Sequence, residues 1–300
     1  MPLRDVGLAL LVAVLWGFNF VVMKAAVGEV PPLMLTALRF GLAFFVGVWF
    51  VARPRSGWRY ILGFGLIFGV IKFWLLFSAF QSGVAAGLAS VVLQTQAIFT
   101  ILLAGPIFSE RLTATATAGL VLSACGLALI GSEFSGGAQF DAVLLVVAAA
   151  VAWALANLVI KSAGQQDMLA LTVWSCAVVP LPALALSFAI EGPASWALAW
   201  SRLSVVGGAS ILYLAIPISI ISGAMWNGLL ARHKASNVAP FALLVPAVGL
   251  LSAWLVYGEV LSNTSLTGTV LIGLGLVAIS LGPRFVVMRQ PSTGVSPPGS

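Results

Sequence analysis

The sequence predicts an all-α polytopic membrane protein with ten transmembrane helices, arranged as two inverted five-helix repeats. Three observations predict it. Hydrophobic residues make up 61% of the 300 residues and charged residues only 7%, whereas a soluble domain carries about a quarter charged residues. Apolar runs of membrane-spanning length recur along the chain. A pattern of glutamate, glycine and aliphatic residues in the first half returns 149 residues later.

The elements follow in order. Arg4 precedes an apolar run of about twenty residues, too long for a signal-peptide core, so this run is read as span 1. A spanning helix needs about 20 mostly apolar residues. On that basis spans 1 to 10 are placed near 6–26, 31–52, 60–81, 86–108, 113–131, 142–161, 168–190, 204–230, 238–257 and 264–283. Pro31-Pro32, Arg53-Pro54-Arg55, Gly136-Gly137 and Gly192-Pro193 punctuate the connections. Alternating strands are absent, which argues against a barrel. Residues 1–134 and 135–284 form the two repeats, and 285–300, rich in Pro, Ser and Gly, form a disordered cytoplasmic tail.

Charge placement orients this map. With the N-terminus in the cytoplasm, the cytoplasmic segments hold Arg4, Arg53, Arg55, Arg59, Arg111, Lys161, Arg232, Lys234, Arg284 and Arg289, against Arg202 outside. That is a positive-inside bias, and it puts both termini on the cytoplasmic side of an even number of spans. The net charge of +6 does not point to nucleic acid, because the basic residues are scattered singly and form no stripe.

The repeat is legible residue by residue. Ser109-Glu110-Arg111-Leu112, Gly119, Gly126 and Ile130 correspond to Gly258-Glu259-Val260-Leu261, Gly268, Gly275 and Ile279. More loosely, Trp16, Asn19 and Lys24 correspond to Trp153, Asn157 and Lys161. Five spans per half is an odd number, so the second half enters the membrane from the opposite side. Such inverted repeats are common in alternating-access carriers. Gly119 and Gly126 in span 5, and Gly268 and Gly275 in span 10, fall on one face and predict a close helix contact. Lys24, on the outer side, breaks the charge rule. A position near a helix C-terminus and snorkelling to the interface would account for it.

Ionisable residues inside the membrane are costly and mark function by default. Lys72 lies about 18 Å into span 3 at 1.5 Å per residue, on a face with Gly65, Gly69 and Ala79. It is read either as a cation for a substrate carboxylate or as a lysine bonded to carbonyls or buried water. Arg39, in span 2, is read as a contact to another helix or as snorkelling. Uncharged polar groups gather in a few spans: Asn19, Asn157, Gln94, Gln96, Thr100, Ser219, Ser222 and Asn227. Trp49, Trp58, Trp196 and Trp200 suit an interfacial belt. Trp16 and Trp153 lie mid-span, with Trp74, Trp226 and Tyr213 as further candidates for pocket walls. The residues assigned to solute binding are Trp16, Asn19, Lys72, Gln94, Gln96, Trp153, Asn157, Tyr213, Ser219 and Trp226.

All eight acidic residues map to loops or span ends, and the single histidine, His233, maps to a cytoplasmic loop. No carboxylate relay for protons is therefore expected. Downhill export or exchange is the simplest mechanism, with coupling through water or Lys72 as the alternative. Cys125 and Cys176 read as packing residues, and no metal site or cofactor is expected. A membrane enzyme would need an acid, base, nucleophile or metal set at one interface, and none is visible. A channel would need a polar ring or filter.

Trp16-Gly17-Phe18-Asn19-Phe20, Pro31 to Leu35, Leu38-Arg39-Phe40, Gly87 to Ser90, Gly105 to Leu112, and Val238-Ala239-Pro240 through Pro246 to Glu259 carry a resemblance. Over about residues 1–283 the chain resembles the EamA family of the drug/metabolite transporter superfamily, nearest its bacterial amino-acid metabolite exporters. The resemblance implies a multi-pass protein of a bacterial inner membrane that exports small amino-acid-like solutes. It also implies a central cavity among spans 1, 3, 4, 6, 8 and 9. Carriage of phosphorylated metabolites or nucleotide sugars is the alternative within the superfamily. A phosphate usually meets several cations, and Lys72 alone offers deep charge, which favours a zwitterion or neutral solute. Pro246 in span 9 has Ala97 as its counterpart in span 4, which leaves the two halves free to bend differently.

Overall fold

A computed structural model describes residues 1–55, 57–108, 113–133, 138–164, 167–233 and 235–288, with the backbone alone at 138, 235, 236, 239 and 280–288. The 109–112 half of the repeat motif, Gly136-Gly137 and residues 289–300 lie outside this description, as do Lys234 and Arg289. The regular structure among the described residues is entirely helical, with no strand.

Among the described residues nine helices are long and apolar enough to cross a membrane: Leu3–Val27, Pro32–Phe50, Trp58–Gln81, Ala86–Phe108, Ala114–Glu133, Gln139–Ala163, Met168–Ile190, Val205–Arg232 and Pro240–Tyr257. They are spans 1 to 9 at the expected places. The expected span 10 corresponds to the helix Asn263–Met288, whose described apolar part, Asn263–Ile279, is shorter than the other nine. It runs past residue 284, where the sequence reading began a tail. Large apolar side chains cover the perimeter, among them Leu10, Leu11 and Val14 of span 1, Phe45, Trp49 and Phe50 of span 2, and Trp254 and Leu255 of span 9. A water-facing surface would not carry so continuous an apolar coat.

Several spans are interrupted. Span 7 breaks between Cys176 and Pro180, because proline has no N–H to continue the ladder. The following connection, expected as a loop, contains the helix Pro193–Arg202. Gly192 turns into it with φ +80°, and Pro193 takes the first helical position. Span 4 tightens into a 3₁₀ turn at Leu93–Thr95. Span 9 breaks at Leu243, between Ala242 and Leu244, the corresponding place in the other half. The two spans are therefore interrupted at equivalent positions despite Ala97. Pro246 leaves the Ala242 carbonyl without its donor. In span 4 the Thr95 hydroxyl donates to the Val92 carbonyl at 2.6 Å, a local bond that competes with helix geometry.

Spans 3 and 8 each contain one wider π-helical segment, Gly65–Lys72 and Leu214–Ile221. Their bounds differ by the same 149 residues as the sequence motif, a separation also seen between Ser123 and Ile272. Pro217 sits inside the second segment, and the Ser219 hydroxyl donates to the Leu214 carbonyl at 2.9 Å. In span 3, Gly65 and Gly69 serve instead. A Cβ on Gly65 would stand 2.7 Å from the Ser175 carbonyl, and one on Gly69 would collide with Val179 of span 7.

Packing follows a reciprocal scheme. Span 1 packs on spans 9 and 8, and span 6 packs on spans 4 and 3. Span 5 packs along span 10, and span 2 along span 7. Each contact recurs when the halves are exchanged. In the span 5–span 10 pair, Gly119 meets Gly275 and Gly126 meets Gly268, so the helices are antiparallel. A Cβ on Gly119 would lie 2.6 Å from the Gly275 carbonyl oxygen, and one on Gly126 2.5 Å from that of Gly268. Ser123 and Ile272, repeat partners of each other, meet at 3.5 Å.

Carboxylates tie one end of the bundle, where odd spans finish and even spans begin. The first N–H groups of a helix lack partners and carry partial positive charge. Glu259 accepts from Ala86 N and Gly87 N at the start of span 4, both at 3.0 Å, and from Lys24 Nζ at 2.6 Å. Glu191 accepts from Leu33 N at 2.7 Å and Met34 N at 3.2 Å at the start of span 2. Glu29 accepts from the Ser204 backbone and hydroxyl, each at 2.7 Å, before span 8. Lys24 therefore has a carboxylate partner, which the helix-dipole reading did not foresee. At the other end, Asp5 meets His233 Nε2 at 2.7 Å and Arg232 at 3.3 Å.

Candidate solute-binding site

Most residues assigned from the sequence fall into three groups in the middle of the spans. The first surrounds Lys72. Its π segment turns the side chain inward, where Nζ lies 3.5 Å from the Phe73 ring centre, 4.6 Å from Trp153 and 4.9 Å from Phe68. Lys72 is only 4% exposed. Aromatic faces attract a cation by about 0.5–2 kcal/mol each, and these rings come from spans 3 and 6. Arg39 of span 2, 3% exposed, reaches the same ring, its guanidinium carbon 4.1 Å from the centre of Phe73. One of its nitrogens donates to Ser219 of span 8 at 3.4 Å. It does not snorkel.

The second group joins spans 6 and 4. Asn157 Nδ2 donates to Gln96 Oε1 at 2.7 Å and to Thr100 Oγ1 at 3.1 Å. The third joins spans 1 and 8. Trp16 Nε1 donates to Ser222 Oγ at 2.8 Å, and its ring packs on Trp226 with centres 5.1 Å apart. Tyr213 donates to the Leu15 carbonyl at 3.0 Å. The two repeat-partner tryptophans thus meet the π segments of the opposite half: Trp153 touches Phe68 and Lys72 within one, and Trp16 bonds to Ser222 next to the other.

Two assigned residues stand apart. Asn19 is buried, donates weakly to Met23 Sδ at 3.7 Å, and its Oδ1 has no partner. Gln94 is half-buried in the 3₁₀ turn of span 4. The sequence reading did not assign Arg39, Phe68, Phe73, Thr100 or Ser222 to the site. Arg39 carried a signal of its own as an intramembrane cation. Phe68 and Phe73 are two of eighteen phenylalanines, and nothing in their spacing sets them apart. Of the expected belt, Trp49, Trp58 and Trp200 are exposed, while Trp196 is half-buried and donates to Ser187 at 2.8 Å.

The profile of the EamA-like transporter family matches the chain twice, over residues 4–132 and 141–281. This chain belongs to the EamA-like transporter family. Relatives align along nearly the whole of it. A Salmonella typhimurium protein named "Probable amino-acid metabolite efflux pump" is 41% identical over 290 residues, covering 95% of this chain and 97% of its own. An Escherichia coli protein of the same name is 39% identical over 293 residues, with the same coverage. A Streptantibioticus cattleyicolor protein named "Probable terminal-alkyne amino-acid exporter" is 26% identical, covering 85% of this chain and 84% of its own. One crystal structure shares the fold with a TM-score of 0.60 at 21% identity, covering 93% of this chain and 98% of its own.

Within this EamA-like transporter, the polar groups come from spans 1, 2, 3, 4, 6 and 8. They are cations, amides, hydroxyls and indole N–H groups set among aromatic faces. The described acidic side chains instead lie toward span ends, where Glu29, Glu191 and Glu259 accept from backbone N–H groups and Asp5 pairs with His233.

Proposed function

We propose that this EamA-like transporter exports amino acids and related small metabolites by alternating access. The 41% identity to a relative named as an amino-acid metabolite efflux pump, over nearly the full length of both chains, carries the reading. The two halves act as inverted repeats, residues 1–134 and 135–284, that exchange roles as the site opens to either side. Reciprocal span contacts, equivalent breaks in spans 4 and 9 and equivalent π segments in spans 3 and 8 support this. The solute sits among Trp16, Lys72, Gln96, Trp153, Asn157, Tyr213, Ser219 and Trp226, with Asn19 and Gln94 nearby. The chain lies in a bacterial inner membrane with both termini cytoplasmic, as its charge distribution suggests. The protein is a carrier and not an enzyme.

The test is efflux from proteoliposomes loaded with a radiolabelled amino-acid panel. At least one solute is expected to leave faster than from protein-free vesicles. No accelerated efflux of any amino acid would sink the exporter reading. A second reading has one observation in its favour: Arg39 and Lys72 both contact the Phe73 ring, so buried positive charge is not confined to one residue. The panel therefore includes a sugar phosphate and a nucleotide sugar, and their efflux in place of amino acids would establish that alternative.

A further inference from the structure

Arg39 and Lys72 are the most buried charged residues in the described bundle, and the Arg39 guanidinium carbon and Lys72 Nζ lie 4.1 Å and 3.5 Å from the centre of the Phe73 ring. Two buried like charges repel, and each has given up its hydration. Such charges are normally met by carboxylates. Among the described residues neither makes an ion pair. Lys72 Nζ faces three aromatic rings. Arg39 spends one nitrogen on a long bond to Ser219, and its buried Nε and Nη1 have no acceptor. Each of these free N–H groups is a charge-assisted donor of the kind that a carboxylate or phosphate oxygen accepts.

We infer that Arg39 and Lys72 form a single oxyanion site beside Phe73 and that it takes the carboxylate of the exported solute. The aromatic rings of Phe68 and Trp153 would then border the rest of the solute. Spans 2, 3, 6 and 8 all contribute, so a bound carboxylate couples both halves of the chain. The assignment rests on the exporter reading for the identity of the solute but not for the existence of the site. A rival account is that the rings and Ser219 alone hold both cations, for structure only.

The full chain in lipid nanodiscs is titrated with sodium acetate, acetamide and inorganic phosphate at constant ionic strength. Intrinsic tryptophan fluorescence reports, since Trp153 lies 4.6 Å from Lys72 Nζ. Acetate is expected to bind at least about tenfold more tightly than its neutral isostere acetamide, a difference of about 1.4 kcal/mol. Lys72→Gln and Arg39→Gln should each weaken acetate binding about tenfold and leave acetamide unchanged. Arg39→Lys keeps the charge and guards against misfolding; it should bind acetate better than Arg39→Gln at equal helicity and elution volume. Equal affinity for acetate and acetamide, or no effect of either glutamine variant, overturns the site. Phosphate binding more tightly than acetate overturns the carboxylate assignment. Acetate binding without amino-acid efflux keeps the site and removes the exporter reading. Efflux that ignores both glutamine variants does the reverse.

Discussion

Glu259 shows what one side chain at a span end can hold. It receives three donors, from Ala86 N, Gly87 N and Lys24 Nζ, and so joins the ends of spans 1, 4 and 9. Hydrogen bonds to a charged group contribute about 1.5–3 kcal/mol. Glu259→Gln turns an amide N–H₂ toward at least one of those donors. It is expected to lower the melting temperature in detergent. It should also raise maleimide labelling of a Ser90→Cys variant, since Ser90 is fully buried one turn below that junction. Unchanged labelling would mean that Glu259 does not help to close this end. Asn157 offers a contrast. Polar bonds between membrane helices average about 0.6 kcal/mol. Asn157→Ala should therefore cost little stability while raising the transport Km several-fold, because it frees Gln96 Oε1 and removes two donor contacts. A large fall in melting temperature with unchanged Km would assign Asn157 to packing.

At the scale of elements, the span 5–span 10 pair depends on glycine for its approach distance. The Gly126 and Gly268 backbones touch, and a side chain on either would strike the other's carbonyl. Overpacking costs about 1–3 kcal/mol. Gly126→Leu and Gly268→Leu are each expected to destabilise the protein, and by similar amounts, because the contact is reciprocal. A heat-denaturation series checks this; a variant as stable as the parent would remove the close contact. The π segments are a second device of this scale. They widen spans 3 and 8 where Lys72 and Ser219 project, and such bulges recur at functional sites. Pro217 lies inside one of them. Pro217→Ala restores an N–H and favours a regular α-helix, which would rotate Ser219 away from Arg39. Transport should fall while stability holds or rises. Full activity in this variant would count against a functional role for the wider turn.

For the whole molecule the decisive quantity is the parity of its spans. Ten crossings put both termini on one side, and nine put them on opposite sides. Reporters fused to each end should both be read in the cytoplasm, and a C-terminal reporter visible only from outside would refute the inverted arrangement. Positions of spans 1 to 9 were legible in the sequence because each needs a long apolar run, and apolarity is a local property. The span 5–span 10 contact was legible for a related reason: glycines on one helical face have few other uses in lipid. The break of span 7 at Pro180 was also within reach, yet the helix Pro193–Arg202 was read as a loop, because short amphiphilic helices carry little hydropathic signal.

The site divides along the same line. Lys72, Trp153 and Asn157 could be singled out from the sequence, since a charge, an indole or an amide at mid-span is costly unless something meets it. Phe73, which gathers Arg39 and Lys72, could not, because one phenylalanine among many carries no mark. The sequence by itself determined that the chain lives in lipid, where its spans lie, and which polar residues they submerge, since all of these follow from transfer free energies summed over local windows. Only the tertiary structure decided that Arg39 and Lys72 share the Phe73 ring, that Glu259 holds Lys24, and that two tryptophans meet the π segments of opposite halves. Those are contacts between residues far apart in the chain, fixed by how the helices pack and rotate against one another.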